Sequence, residues 1–257
     1  MKLQLVDSKS FISILTFLLL FLSDGIKADP LPNVTAQAWL VADESGKILE
    51  GTHTDEVRSI ASITKLMTVM VVLDSNVSLT EILPKPLYNR KVDRQTLIDL
   101  AIVKSDNSAA KMLCDTYPHG YLDCITAMNA KAEKLQMYKT SFVDSTGLMN
   151  DNVSTAEDLI KLAKAASYYK IIVEASNKSH IIWPQTKTTK PIQYNNTNTL
   201  VGKGYDFIVS KTGFISKAGG CIVFIINTVR GQRTVVLLGS KNTKTRIPEA
   251  FLISALY

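Results

Sequence analysis

The chain has 257 residues, 46% of them hydrophobic and 20% charged, with a formal net charge of +6. These proportions sit near the globular average and exclude both a disordered chain and a polytopic membrane protein. The lysines are spread along the sequence without an aromatic-spaced basic cluster, so the charge predicts no nucleic-acid partner and at most a loose association with anionic surfaces such as cell wall or lipid headgroups.

Lys2 and Lys9 flank a polar start that leads into the apolar run Phe11–Leu22, too short to span a bilayer comfortably. A turn-like Ser23-Asp24-Gly25 and then Ala28 follow. This pattern predicts a signal peptide over residues 1–28 and a mature chain over 29–257 forming one domain. Ile26 is larger than the residue usual at its position, so an uncleaved anchor is the alternative. No later apolar run has spanning length, which predicts a soluble periplasmic or otherwise extracytoplasmic protein.

Ala36–Ala42 and Lys47–Glu50 flank the turn signal Asp43-Glu44-Ser45-Gly46 and predict a hairpin. A strongly apolar helix should run to Leu73, starting between its two candidate caps, Ser59 and Ser62. Residues 95–103 and 108–113 read as helices broken at Ser105-Asp106-Asn107, and 122–135 as another. Ser154-Thr155-Ala156-Glu157 is a capping box opening a helix through Ala166. Three strands follow at 207–214, 220–229 and 233–238, the last two joined by Arg230-Gly231-Gln232, and a helix closes the chain from about Pro248. Strands, then helices, then strands, then a helix make an α+β fold with an antiparallel sheet flanked by helices.

Cys114, Cys124 and Cys221 have no CxxC spacing, and His53, His119 and His180 are not paired at ligand spacing, so no metal site is expected. A Cys114–Cys124 disulfide and buried free thiols are both open. Trp39 and Trp183 read as packing residues.

Catalytic chemistry is indicated at one place. A serine needs a base to become a nucleophile, and a lysine three residues along a helix lies on the same face. Ser-x-x-Lys occurs three times, as Ser62/Lys65, Ser108/Lys111 and Ser167/Lys170, so alone it carries little weight. Ser-x-Asn occurs at Ser105–Asn107 and at Ser240–Asn242, and Lys211-Thr212-Gly213 occurs once. Only the set beginning at Ser62 places the three pieces in order at a helix start, a helix-breaking loop and a strand. That predicts acyl transfer through Ser62, with Lys65 taking its proton.

The ordered set, with the stretches SIASITKLMTVMVVLD, LIDLAIVKSDNSAA, SFVDSTGLMNDNVSTAEDLIKL, NTNTLV and KTGFISKAGGC, resembles the serine DD-peptidases among the low-molecular-mass penicillin-binding proteins, above all their D-alanyl-D-alanine endopeptidase branch. The resemblance runs from about residue 35 to the end. It implies a β-lactamase/transpeptidase-like fold with a helical subdomain, peptidoglycan stem peptides as substrates, β-lactams as covalent inhibitors and no cofactor. By position it implies that Ser62 attacks the carbonyl of the penultimate D-alanine, Ser105 relays a proton to the leaving amine, and Asn107 positions the substrate amide and Lys65. It further implies that Lys211 binds a substrate carboxylate, that Thr212 and Gly213 line the strand beside the substrate, and that the N–H groups of Ser62 and Phe214 form the oxyanion hole.

The Ser145-Thr146-Gly147 turn is expected to be structural, and the resemblance puts it near the site's rim. The segment from Ser75 to Asp93 is short for the family. No Glu-x-x-Leu-Asn stretch lies between Asn107 and Lys211, which argues against a β-lactamase. The family's carboxypeptidases usually carry a further β-rich domain, so the expectation is an endopeptidase, with a carboxypeptidase or a catalytically silent wall-binding protein as rivals.

Overall fold

The strands β1 (Ala38–Asp43), β7 (Asp206–Ile215), β8 (Gly219–Thr228) and β9 (Gly231–Ser240) bury apolar side chains on both faces, while β2 (Ile48–Thr52) is largely exposed. In β1, Ala38, Leu40 and Ala42 enter one core while Trp39 and Val41 enter another. A strand alternates its side chains, so two buried faces require layers on both sides of the sheet. The computed structural model, which describes residues 34–183 and 190–257, has that arrangement. The predicted signal peptide lies outside the described residues.

The five strands form an antiparallel sheet in the order β2-β1-β9-β8-β7. The predicted first hairpin is present. Asp43 Oδ1 builds its turn by accepting from Ser45 N at 2.9 Å and Lys47 N at 3.0 Å. The β8–β9 turn falls on Val229-Arg230, ahead of the predicted Arg230-Gly231-Gln232, because Gly231 already pairs with Thr228. β7 lies at the sheet's edge, with β8 as its single strand neighbour.

One face of the sheet is covered by α5 (Ala156–Ala166), and behind it stand α1 (Thr64–Asp74), α2 (Arg94–Asp99), α3 (Asn107–Asp115) and α4 (Tyr121–Lys134). The other face is covered by α7 (Arg246–Leu256). α7 starts two residues ahead of the predicted Pro248, which sits in its first turn where an amide N–H is not needed. Residues 64–72 of α1 are buried on every side, as befits a helix hydrophobic all round. Among the described residues no helix is long and apolar enough to cross a membrane.

Two further local expectations are corrected. Neither Ser59 nor Ser62 caps α1 with its side chain. Ser59 belongs to β3 (Arg58–Ser59), paired with β4 (Val153–Ser154), and Ser62 sits in a 3-10 turn, Ala61–Ile63, that precedes the helix. The capping pair of α5 is Thr155 and Asp158, one residue later than read: Thr155 Oγ1 accepts from Asp158 N at 3.0 Å. Glu157 turns away to Thr54, whose hydroxyl donates to its Oε1 at 2.6 Å. A short helix α6 (Lys170–Ser176) and the hairpin β5 (His180–Trp183) and β6 (Ile192–Asn195) were not anticipated.

Trp39 is buried in the core under α7, and Trp183 packs edge-on to Tyr88 with the Arg90 guanidinium over its ring, so both act in packing. Cys114 and Cys124 are joined in a disulfide between α3 and α4, their Cα atoms 5.4 Å apart, while Cys221 is a buried free thiol. Cys114→Ser should destabilise the fold by roughly 2–4 kcal/mol through the released loop entropy, lowering Tm by roughly 4–16 °C in a calorimetric scan. An unchanged Tm would show that the crosslink adds nothing to the packing of α3 on α4.

Candidate active site

The nucleophile candidate is presented by the 3-10 turn. Ala61, at φ 48°, turns the chain between β3 and α1, so that Ser62 meets the side chain of Lys65 one turn on. Lys65 Nζ lies 2.8 Å from Ser62 Oγ, 2.7 Å from Asn107 Oδ1 and 2.7 Å from the Thr146 carbonyl. The lysine is fully buried. Burial pushes its ammonium down to about 7, against the pull of the Asp144 and Asp106 carboxylates, which favour the charge. A neutral amine has two N–H bonds and one lone pair. With Asn107 Oδ1 and the Thr146 carbonyl taking the N–H bonds, the lone pair is left for the Ser62 hydroxyl.

The helix break at residues 105–107 is built by backbone geometry. α2 passes into a π-helical turn, Leu100–Lys104, and ends at Ser105 in the left-handed conformation, φ 61°. Asp106 then caps α3, accepting from Ala109 N at 2.9 Å, and Asn107 starts that helix facing Lys65. The Asp106 carboxyl is held below its ordinary value despite burial by Lys104 Nζ at 2.8 Å and the Ala109 amide.

From the sheet's edge, Lys211 Nζ donates to Ser105 Oγ at 2.8 Å and to the Thr212 carbonyl at 3.0 Å. Burial first, and then Lys65, when it is protonated, and the Arg246 guanidinium, press Lys211 well below the usual lysine value. Gly213 lies against the nucleophile: a Cβ there would stand 2.9 Å from Ser62 N and 3.0 Å from the Ile60 carbonyl, so only glycine lets β7 approach so closely. Phe214, the next residue, is 45% exposed beside that contact.

The structure therefore brings Ser62, Lys65, Ser105, Asn107, Lys211 and Gly213 together, with Thr212 and Phe214 alongside. The competing motifs lie elsewhere. Lys111 pairs with Asp115 at 2.7 Å and Lys170 with Glu174 at 3.6 Å, both on exposed helix faces. Ser240 donates to Glu249 Oε2 at 2.7 Å, and Asn242 caps the turn before α7 by accepting from Lys244 N at 2.8 Å.

A family model described as D-alanyl-D-alanine carboxypeptidase matches residues 26–84 and 83–242. The chain belongs to that family of serine DD-peptidases. A D-alanyl-D-alanine endopeptidase of Escherichia coli is 38% identical over 223 residues, which cover 80% of this chain and 71% of that protein. Another, from Pseudomonas aeruginosa, is 34% identical, covering 91% of this chain and 83% of its own. Among solved structures, a penicillin-binding protein of Listeria monocytogenes in its cefotaxime-bound form matches with a TM-score of 0.77 and 27% identity, covering 89% of this chain and 99% of that one. The α+β, transpeptidase-like fold is thus shared.

Three parts of this candidate site were misplaced or unread in the sequence. The Ser145-Thr146-Gly147 turn lies beneath the nucleophile and not at the rim, since Thr146 supplies a carbonyl to Lys65 and Gly147, at φ 79°, packs on the Ala61–Ser62 peptide. Asp144 ties that turn together, its Oδ1 accepting from Gly147 N at 2.7 Å and its Oδ2 from Met149 N at 2.8 Å and Asn152 Nδ2 at 2.7 Å. An acidic residue two before a Thr-Gly pair is an Asx-turn signal that could have flagged it. Arg246, the first residue of α7, is 7% exposed and donates through Nη1 to the Gly213 carbonyl at 2.5 Å. Thr197 accepts from Thr212 Oγ1 at 2.7 Å and so fixes β7 from the other side.

Proposed function

We propose that this DD-peptidase hydrolyses the D-alanyl bonds of peptidoglycan cross-links through an acyl-enzyme on Ser62. The observation that carries this is Lys65 Nζ at 2.8 Å from Ser62 Oγ with its other two partners fixed. Ser62 Oγ attacks the D-alanyl carbonyl carbon and its proton passes to the Lys65 lone pair. The tetrahedral oxyanion is held by the N–H groups of Ser62 and Phe214, which the close approach of Gly213 supports. The C–N bond then breaks and the proton returns to the leaving amine by way of Ser105. Water attacks the resulting ester, its proton again taken by Lys65, and frees Ser62. Lys211, crowded by Lys65 and Arg246, receives the substrate carboxylate, whose charge offsets theirs. Asn107 holds the substrate amide beside Lys65.

The same serine would be acylated by β-lactams. Action on cross-links, rather than on terminal D-alanine alone, is supported by the relatives named as endopeptidases. We place the mature protein, residues 29–257 as one catalytic domain after a signal peptide over 1–28, in the periplasm or another extracytoplasmic space. The Cys114–Cys124 disulfide fits an oxidising compartment. The net charge of +6 favours loose contact with anionic wall or lipid surfaces.

The test is which bond is cut. Cross-linked dimeric muropeptides should be split to monomers faster than D-alanine is released from monomeric pentapeptides, and Ser62→Ala should lose both reactions. Faster D-alanine release with dimers untouched would make the enzyme a carboxypeptidase.

A further inference from the structure

Leu87 and Arg90 exchange backbone hydrogen bonds of 3.0 and 2.9 Å across a two-residue turn, and both residues of that turn, Tyr88 at φ 49° and Asn89 at φ 63°, are left-handed. Glycine and asparagine suit such a turn, whereas a tyrosine there lies outside its preferred region and is held by what its side chain touches. Tyr88 is half-exposed and reaches across to the helix break at 105–107. Its hydroxyl donates to the Asp106 carboxylate, 3.0 Å from Oδ2 and 3.1 Å from Oδ1, and the Lys104 ammonium stands 5.3 Å from its ring centroid. Lys104 in turn donates to Asp106 Oδ2 at 2.8 Å and lies 4.1 Å from the centroid of the Tyr194 ring in β6. Tyr88 therefore grips both neighbours of Ser105.

Ser105 has need of that grip. It is itself left-handed, at φ 61°, and follows the π-helical turn Leu100–Lys104, so a regular helix does not fix it, and its hydroxyl has to stay 2.8 Å from Lys211 Nζ. Asn107, by contrast, is anchored in the first turn of α3 and by Lys65 Nζ at 2.7 Å. We infer that Tyr88 is a positioning residue for proton transfer to the leaving group: by holding Lys104 and Asp106 it fixes the Ser105 hydroxyl beside Lys211, where the departing amine takes its proton. The inference rests on the acyl-enzyme at Ser62 and the Ser105 relay proposed above. The proton that Lys65 takes from Ser62 passes through the Ser105 hydroxyl to the nitrogen as the C–N bond breaks. An amine cannot leave without that proton, whereas the thiolate of a thioester can. Both substrates leave the same acyl group on Ser62, so the loss of Tyr88's hold falls on amides and spares thioesters.

In the mature enzyme, kcat/KM reports acylation and is measured on two substrates with the same D-alanyl acyl group. One is an amide, the cross-linked dimer or the pentapeptide, whichever the wild type cuts faster; the other is a thioester. Ser105→Ala should lower the value about a hundredfold on the amide and no more than about tenfold on the thioester. Tyr88→Phe keeps the ring beside Lys104 and removes the hydroxyl; it should lower the amide value about tenfold and leave the thioester value within about twofold. Tyr88→Gly suits the backbone of the turn but removes the grip, and should lower the amide value at least as far. Equal losses on both substrates in Tyr88→Phe would reduce the residue to a structural role and overturn the assignment, as would wild-type amide cleavage in Tyr88→Gly. If Ser105→Ala fails to separate the two substrates, the relay falls and the role of Tyr88 with it. A separation in Ser105→Ala without one in Tyr88→Phe would overturn the assignment of Tyr88 alone.

Discussion

Replacing Ser62 with alanine will abolish covalent labelling by a fluorescent penicillin, while Ser108→Ala and Ser167→Ala will leave labelling intact. Ser62 alone among the three Ser-x-x-Lys serines has its lysine buried and within hydrogen-bond reach; Lys111 and Lys170 are occupied by surface carboxylates. Lys65→Ala should slow acylation roughly a thousandfold or more, because it removes a base and not merely a charge. Lys111→Ala should have no such effect. The rate should also follow the protonation of Lys65. Burial holds that lysine at about 7, so its basic form grows as pH rises through neutrality, and acylation should climb and then level off above that point. The same displacement has a sign for stability. The folded value of about 7 lies below the unfolded lysine's value of about 10.4, so between the two the unfolded chain binds more protons and Lys65's contribution to stability rises with pH. Labelling that persists in Ser62→Ala, or an acylation rate that falls through neutrality, would remove these two residues from the chemistry.

Much of this architecture is written in local pattern. The apolar runs of β7, β8 and β9 announce strands buried on both faces, and the break at Ser105–Asn107 announces itself through residues that prefer caps to helix interiors. Errors arise where a long-range contact outranks a local preference. Ser62 has the chemistry of an N-cap, yet its hydroxyl faces Lys65 Nζ, so the turn before α1 tightens to 3-10 and the backbone alone ends the helix. Ser154 looks like the start of a capping box, yet it pairs in β4 and shares a hydrogen bond of 2.7 Å with Thr140 Oγ1, which moves the cap to Thr155. The roles of Thr146 and Arg246 depend on a carbonyl and a guanidinium brought from 81 and 33 residues away, and no spacing rule encodes such a meeting.

Asp144 shows how such a distant contact becomes chemistry. Burial works against its charge, but the Thr146 hydroxyl and the amides of Met149, Thr146 and Gly147 outweigh that effect and hold its carboxyl below the ordinary carboxylate value. Through those bonds it fixes the Thr146 carbonyl on Lys65 and Gly147 against Ser62 N. Asp144→Ala leaves several buried donors without an acceptor and should cost about 3 kcal/mol or more, read as a lowered midpoint in urea. Asp144→Asn is the sharper probe. An amide keeps the shape but replaces one acceptor oxygen with a donor, so one end of the turn loosens and acylation should fall about tenfold to a hundredfold. It also deletes a negative charge that favours the protonated form of Lys65. The basic form of Lys65 should then persist to lower pH, and the rising limb of the acylation profile should move towards acid. A merely structural role would lower the rate and leave the limb in place. An Asp144→Asn enzyme that is slow but titrates at the wild-type pH would therefore show that Asp144 shapes the turn without setting the charge of the base.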